Sequence, residues 1–171
     1  SDGNVMKIGV PKETRTGESR VAATPDSTKK LVALGLDVVI EKDAGELAHH
    51  PDEEFTAAGA TIGSREDAYS ADIVLKVSCP TSDECGHLNS GSLLISMIDP
   101  FGDGPAVMEA LAEKKVNVMG MELLPRITRA QAMDVLSSQA NLAGYKAAVE
   151  AAHYLNRLFP MMMTAAGSMP Q

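Results

Sequence analysis

The sequence predicts an α/β domain, a doubly wound and mainly parallel sheet, followed by a long helix toward the C-terminus. Two observations carry this. Strand-like and helix-like stretches alternate without a break between residues 7 and 121, the pattern of a parallel sheet assembled from strand–helix–strand units. Two of the strand-like stretches, DIVLKV (72–77) and SLLISMI (92–98), are apolar on both faces, as strands are when helices cover a sheet from both sides.

Taken in order, KIGV (7–10) is a short apolar run closed by Pro11, the first strand. PKETRTGESRVAATP (11–25) is polar and turn-rich, a loop that carries Arg20. Thr24-Pro25-Asp26 opens a helix in the cap-then-proline manner. Leu31, Val32 and Leu34 give that helix an apolar side, and Gly35 closes it. The next strand is 38–40. Asp43-Ala44-Gly45 turns the chain, and Pro51 opens a second helix whose Asp52, Glu53 and Glu54 complement its dipole. Gly59 ends it, 60–62 is a brief strand and 64–70 a short helix. DIVLKV is the fourth strand, and Pro80 and a polar helix at 82–87 follow. SLLISMI is the fifth strand, 105–115 a helix, and 116–121 the sixth strand. Ligands on such sheets gather at the carboxyl ends of the strands. Arg20, Lys76, Asp99 and the loop around Arg126 all lie at or just past such ends.

The stretch 125–145, PRITRAQAMDVLSSQANLAGY, is dense in hydrogen-bonding side chains of mixed type. Met133, Leu136 and Ala140 have the spacing of a helix's buried stripe, with Pro125 suited to its first turn. On that helix Gln131, Asp134 and Ser138 share the opposite face, with Ser137 at its margin. An amphipathic helix with a merely solvated face is the plain alternative. Such faces ordinarily carry Lys and Glu, whereas this one carries amides, hydroxyls, an acid and arginine, which suit neutral amide and hydroxyl groups on a ligand. From 141 to 158 the chain reads as one long helix. Lys146, Glu150, His153 and Arg157 form a narrow polar stripe, and most of the rest is apolar or small. A helix of that kind expects neighbours on two sides, as a connector between two domains has.

Composition excludes several classes. A chain of 171 residues suits one domain, or one and a fraction of a second. At 44% hydrophobic and 22% charged it reads as globular. The net charge of −8, with no Lys/Arg block, argues against nucleic acid or an anionic membrane surface as partner. Cys79, Cys85 and the nearby His87 fall short of a structural zinc set and read as free thiols in a reducing compartment; no metal is expected. No run of ~18 apolar residues occurs. The opening SDGNV is set aside as a processed end. No G-x-G-x-x-G is present.

Four segments together, MKIGVPKET…ESRVAATP, DIVLKV, PRITRAQAMDVLSSQANLAGY and TAAGSMP, resemble the NAD(H)-binding subunit of proton-translocating nicotinamide nucleotide transhydrogenases, from Met6 to Pro170. Alanine dehydrogenase is a relative with a similar opening segment. The resemblance implies a Rossmann- or flavodoxin-like first domain at 6–138 and an inter-domain connector helix at 141–158. It further implies a lead-in at 159–171 to a nucleotide-binding domain outside this chain. Arg126, Asp134 and Ser137 would then orient the carboxamide and ring of NAD(H), Gln131 would reach toward the neighbouring ribose, and Tyr145 would stand beside the same site. Helical geometry alone prefers Ser138 to Ser137, so the backbone there is expected to depart from a regular helix. Gln131 and Asp134 would set the geometry of hydride transfer to NADP(H) on a partner domain.

Arg20 and Lys76 match the residues that hold the substrate carboxylate in alanine dehydrogenases. The catalytic histidine of those enzymes should follow the SLLIS strand, where this chain reads Met97-Ile98-Asp99-Pro100. Its absence favours the transhydrogenase and leaves Arg20 and Lys76 as inherited architecture. The implied partners are the missing nucleotide-binding domain, an NADP(H)-binding domain and a membrane domain, with a homodimer in the full-length protein. The implied place is the cytoplasmic face of a bacterial inner membrane, or the matrix side of a mitochondrial one. This chain alone is expected to be inactive. The other readings are an alanine dehydrogenase-type oxidoreductase and a non-enzymatic flavodoxin-like docking module.

Overall fold

The structure, a computed structural model, describes residues 5–102, 104–156 and 161–169. By its internal contacts the chain divides into two units, Ser1–Leu124 and Pro125–Gln171.

Among the described residues of the first unit, six strands form one sheet: β1 (Lys7–Val10), β2 (Asp37–Glu41), β3 (Thr61–Gly63), β4 (Ile73–Leu75), β5 (Leu93–Ser96) and β6 (Asn117–Gly120). All neighbours are parallel, in the order β3-β2-β1-β4-β5-β6. Five helices make the crossovers: α1 (Pro25–Ala33), α2 (Asp52–Ala57), α3 (Arg65–Tyr69), α4 (Ser82–His87) and α5 (Gly104–Glu113). Register sorts them onto two faces. Ile8 sits beside Ile73 and Gly9 beside Val74, so alternate residues along these strands look to opposite sides. Ile8, Val10, Val38 and Ile40 pack with Phe55, Leu31 and Val32 from α2 and α1. Val74 and Leu94 pack with Tyr69, Cys85, Val107 and Leu111 from α3, α4 and α5. The sheet is therefore doubly wound, as the sequence predicts.

The short helices are held by their ends as much as by their faces. Pieces of five or six residues cannot persist on propensity alone. Thr24 with Ser27, Ser64 with Asp67, and Thr81 with Glu84 each form a reciprocal capping box that starts α1, α3 and α4. Gly9 is required by packing: a Cβ there would stand 1.7 Å from the Ala68 carbonyl oxygen of α3.

DIVLKV and SLLISMI pair as strands over only three and four residues, 73–75 and 93–96. Hydrogen bonds run on past their ends, from Lys76 N–H to the Ile95 carbonyl and from Met97 N–H to the Val77 carbonyl. β6 closes the sheet as an edge strand with Met119 exposed.

The second unit departs from expectation at its start. Instead of a helix through 125–145, a 3-10 turn spans Thr128–Met133 and Asp134 is extended at φ −74°, ψ 97°. Only then does α6 (Val135–Tyr154) begin. Gln131, Asp134 and Ser138 thus do not share one helical face, and Met133 does not continue the stripe of Leu136 and Ala140. The cause is the Asp134 side chain, which caps the helix and needs a non-helical backbone to do so. α6 starts six residues before the expected connector at 141–158, passes Gly144 unbroken and stops at Tyr154, with Leu155 extended. Arg157, Leu158 and the first and last two residues of the 159–171 lead-in fall outside the described residues. Within that lead-in β7 (Met162–Thr164) and β8 (Gly167–Met169) form an antiparallel hairpin, which the sequence reading did not contain. Gly167 admits it with φ 118°. No helix among the described residues is long and apolar enough to cross a membrane.

Candidate functional site

Two places in the chain concentrate polar chemistry. The first lies where β1 and β4 part. Their onward connections run in opposite directions, so a crevice opens beyond their carboxyl ends, the usual ligand position in an open α/β sheet. It encloses about 570 Å³, with Glu13, Arg15, Lys76, Ser78, Glu84 and Asp99 among its lining residues. On its floor the Lys76 side chain is 1% exposed, its Nζ 3.1 Å from Glu13 and 3.4 Å from Glu84. Glu13 also accepts from the backbone N–H groups of Val77 at 2.6 Å and Ser78 at 3.4 Å. Glu84 accepts from the Thr14 hydroxyl, the Arg65 guanidinium and the Thr81 N–H at 2.8, 3.2 and 2.9 Å. Burial works against the ionised Glu84, but the Thr81 N–H, the Lys76 charge and the Thr14 hydroxyl outweigh it and hold its carboxyl below the ordinary range. Lys76 thus lies between two buried acidic side chains.

Arg20 is not brought into this crevice. It lines a small adjoining cavity with Glu13 and Glu18. Its Nε and Nη2 both donate to Glu18 at 2.7 Å. Those bonds chiefly hold the Glu18 carboxyl down at about 2. Glu18 in turn accepts from the Ser78 hydroxyl at 3.0 Å, so Arg20 reaches the crevice wall through Glu18. Asp99 follows β5 in a left-handed conformation at φ 51°. Its N–H and that of Ile98 both donate to Glu122 at 2.6 Å. Among the described lining residues none is a histidine. The strand order is that of dinucleotide-binding sheets, yet β1 runs into Pro11-Lys12-Glu13 and a long loop before α1 at Pro25. No glycine turn leads straight into a helix there, so this crevice has no cradle for a pyrophosphate.

The second place is the N-terminus of α6. Asp134 Oδ1 accepts from the N–H groups of Leu136 and Ser137 at 3.0 and 3.1 Å. The Ser137 hydroxyl donates to Oδ2 at 2.6 Å. Ser138 turns inward instead, its hydroxyl donating to the carbonyls of Asp134 and Val135 at 3.1 Å each. The Ser137 hydroxyl first, then the Ser137 and Leu136 N–H groups and the Arg126 charge, hold the Asp134 carboxyl below its usual value. Asp134 and Ser137 thus form one hydrogen-bonded group, on which Arg126 acts only through its charge. Gln131 joins it through the backbone, its carbonyl accepting the Asp134 N–H at 3.2 Å. Tyr145 does not join it: eleven residues along α6 from Asp134, it stands about 16 Å away along the axis and is 73% exposed.

Sequence reasoning missed the roles of Glu13 and Glu84. The T-x-x-E spacing at 81–84 marks Glu84 as a capping residue, but no local pattern links Glu13 to a lysine 63 positions away. The D-x-x-S spacing at 134–137 was the available signal for Ser137 over Ser138.

Residues 9–143 match the family described as alanine dehydrogenase/PNT, N-terminal domain. The chain is 46% identical over 165 residues to NAD(P) transhydrogenase subunit alpha of Haemophilus influenzae, covering 96% of this chain and 32% of that protein. Against alanine dehydrogenase of Mycobacterium tuberculosis it is 32% identical over 154 residues, covering 89% and 41%. A crystal structure of transhydrogenase from Sinorhizobium meliloti superposes with a TM-score of 0.88 at 48% identity, covering 96% of this chain and 47% of that one. The chain spans less than half the length of each of these relatives.

Proposed function

Because the chain belongs to the alanine dehydrogenase/PNT N-terminal domain family, we propose that it is the first domain of the NAD(H)-binding component of a proton-translocating transhydrogenase. It would serve hydride transfer between NAD(H) and NADP(H) at the cytoplasmic or matrix face of a membrane, with the nucleotide-binding, NADP(H)-binding and membrane domains as partners. The observation that carries this reading is Asp99 at the mouth of β5 in a crevice whose described lining holds no histidine. An enzyme that reduces an imine needs a group there that shuttles a proton near neutrality, the ordinary role of a histidine. The higher identity to the transhydrogenase subunit than to alanine dehydrogenase points the same way.

The groups near α6 fit one end of a dinucleotide. Arg126 carries donors, and Asp134 and Ser137 carry acceptors, the two kinds of partner that a carboxamide needs. The pyrophosphate and adenosine find no glycine-rich turn among the described residues, so they would be held by chain outside it. When bound, the dinucleotide supplies the hydride from C4 of its ring. The chain's own residues have no proton to move in that step; their work is to fix the ring and keep water from it. Asp134, locked by two backbone N–H groups and a hydroxyl, holds its geometry without rotamer search. Gln131 would steady the adjoining ribose from the 3-10 turn.

The complete polypeptide, assembled with its NADP(H) partner, should transfer hydride between NADH and NADP and should not aminate pyruvate. Pyruvate amination without hydride transfer would make it an alanine dehydrogenase-type enzyme instead, with Lys76 as a substrate ligand.

A further inference from the structure

We draw no further inference here: the strongest candidate, the exposed apolar face of α6 made by Leu142, Tyr145 and Val149, carries none because nothing in the structure shows what covers it.

Discussion

Lys76 and Asp134 are both charged residues at the end of an element, and their surroundings give them different work. Lys76 is enclosed, with Glu13 and Glu84 each no more than 3% exposed beside it. Taking away one partner of such a group leaves uncompensated charge in the interior, at a cost of about 3–5 kcal/mol. Lys76→Met should therefore lower stability to urea by that amount, and an unchanged midpoint would mean that water reaches the floor of the crevice. Glu18 offers a pH test. Its folded carboxyl lies at about 2 against an ordinary 4.5, chiefly through the Arg20 hydrogen bonds. A lowered folded value stabilises above the unfolded value and is lost as pH falls through the folded one. Glu18→Gln should accordingly flatten the acid side of the stability profile between about pH 4.5 and about 2, and a profile parallel to wild type would remove Glu18 from the balance. Lys76 was legible from the sequence as a polar residue closing an apolar strand. Its partners were not, because Glu13 lies across the switch point rather than along the chain. Ser137 was indicated by the family resemblance against the helical count, and the capping geometry of Asp134 supplies the physical reason for it.

The strands and crossover helices of the first unit were legible because each carries its own signal: an apolar run, a capping side chain, a closing glycine. The break at Asp134 was not. The stripe Met133–Leu136–Ala140 has helical spacing, and periodicity cannot see that a capping carboxylate forces one residue out of the helix. The hairpin of β7 and β8 also escaped, since three methionines in a row show no alternation. At Gly9 the element scale makes a direct prediction. A Cβ there would meet the Ala68 carbonyl oxygen, a backbone atom that can yield only if α3 moves. Gly9→Ala should lose about 1–3 kcal/mol, the ordinary cost of overpacking, and should loosen the Arg65–Glu84 contact that α3 carries. A urea midpoint equal to wild type would show that α3 rests on β1 less closely.

At the scale of the whole molecule, the proposed function gives the described residues the nicotinamide end of a site, and among them no glycine-rich turn stands ready for the pyrophosphate. A few hydrogen bonds at about 0.5–1.5 kcal/mol each barely offset the entropy of association. Calorimetry on these 171 residues alone should thus find NADH binding at millimolar or weaker, and a micromolar constant would place the nucleotide site within this chain. Function on this reading turns on the 126–137 segment, which positions a nicotinamide for hydride transfer. The most direct measurement is the single-turnover rate of deuteride transfer from C4-deuterated NADH to NADP, in the complete assembled enzyme and in its Gln131→Ala variant. Transfer is expected in the wild type and at least a tenfold slower step in the variant, with NADH affinity held within about tenfold because Gln131 sets geometry more than it anchors. Wild-type transfer in Gln131→Ala, or no transfer in the wild-type assembly, would contradict it.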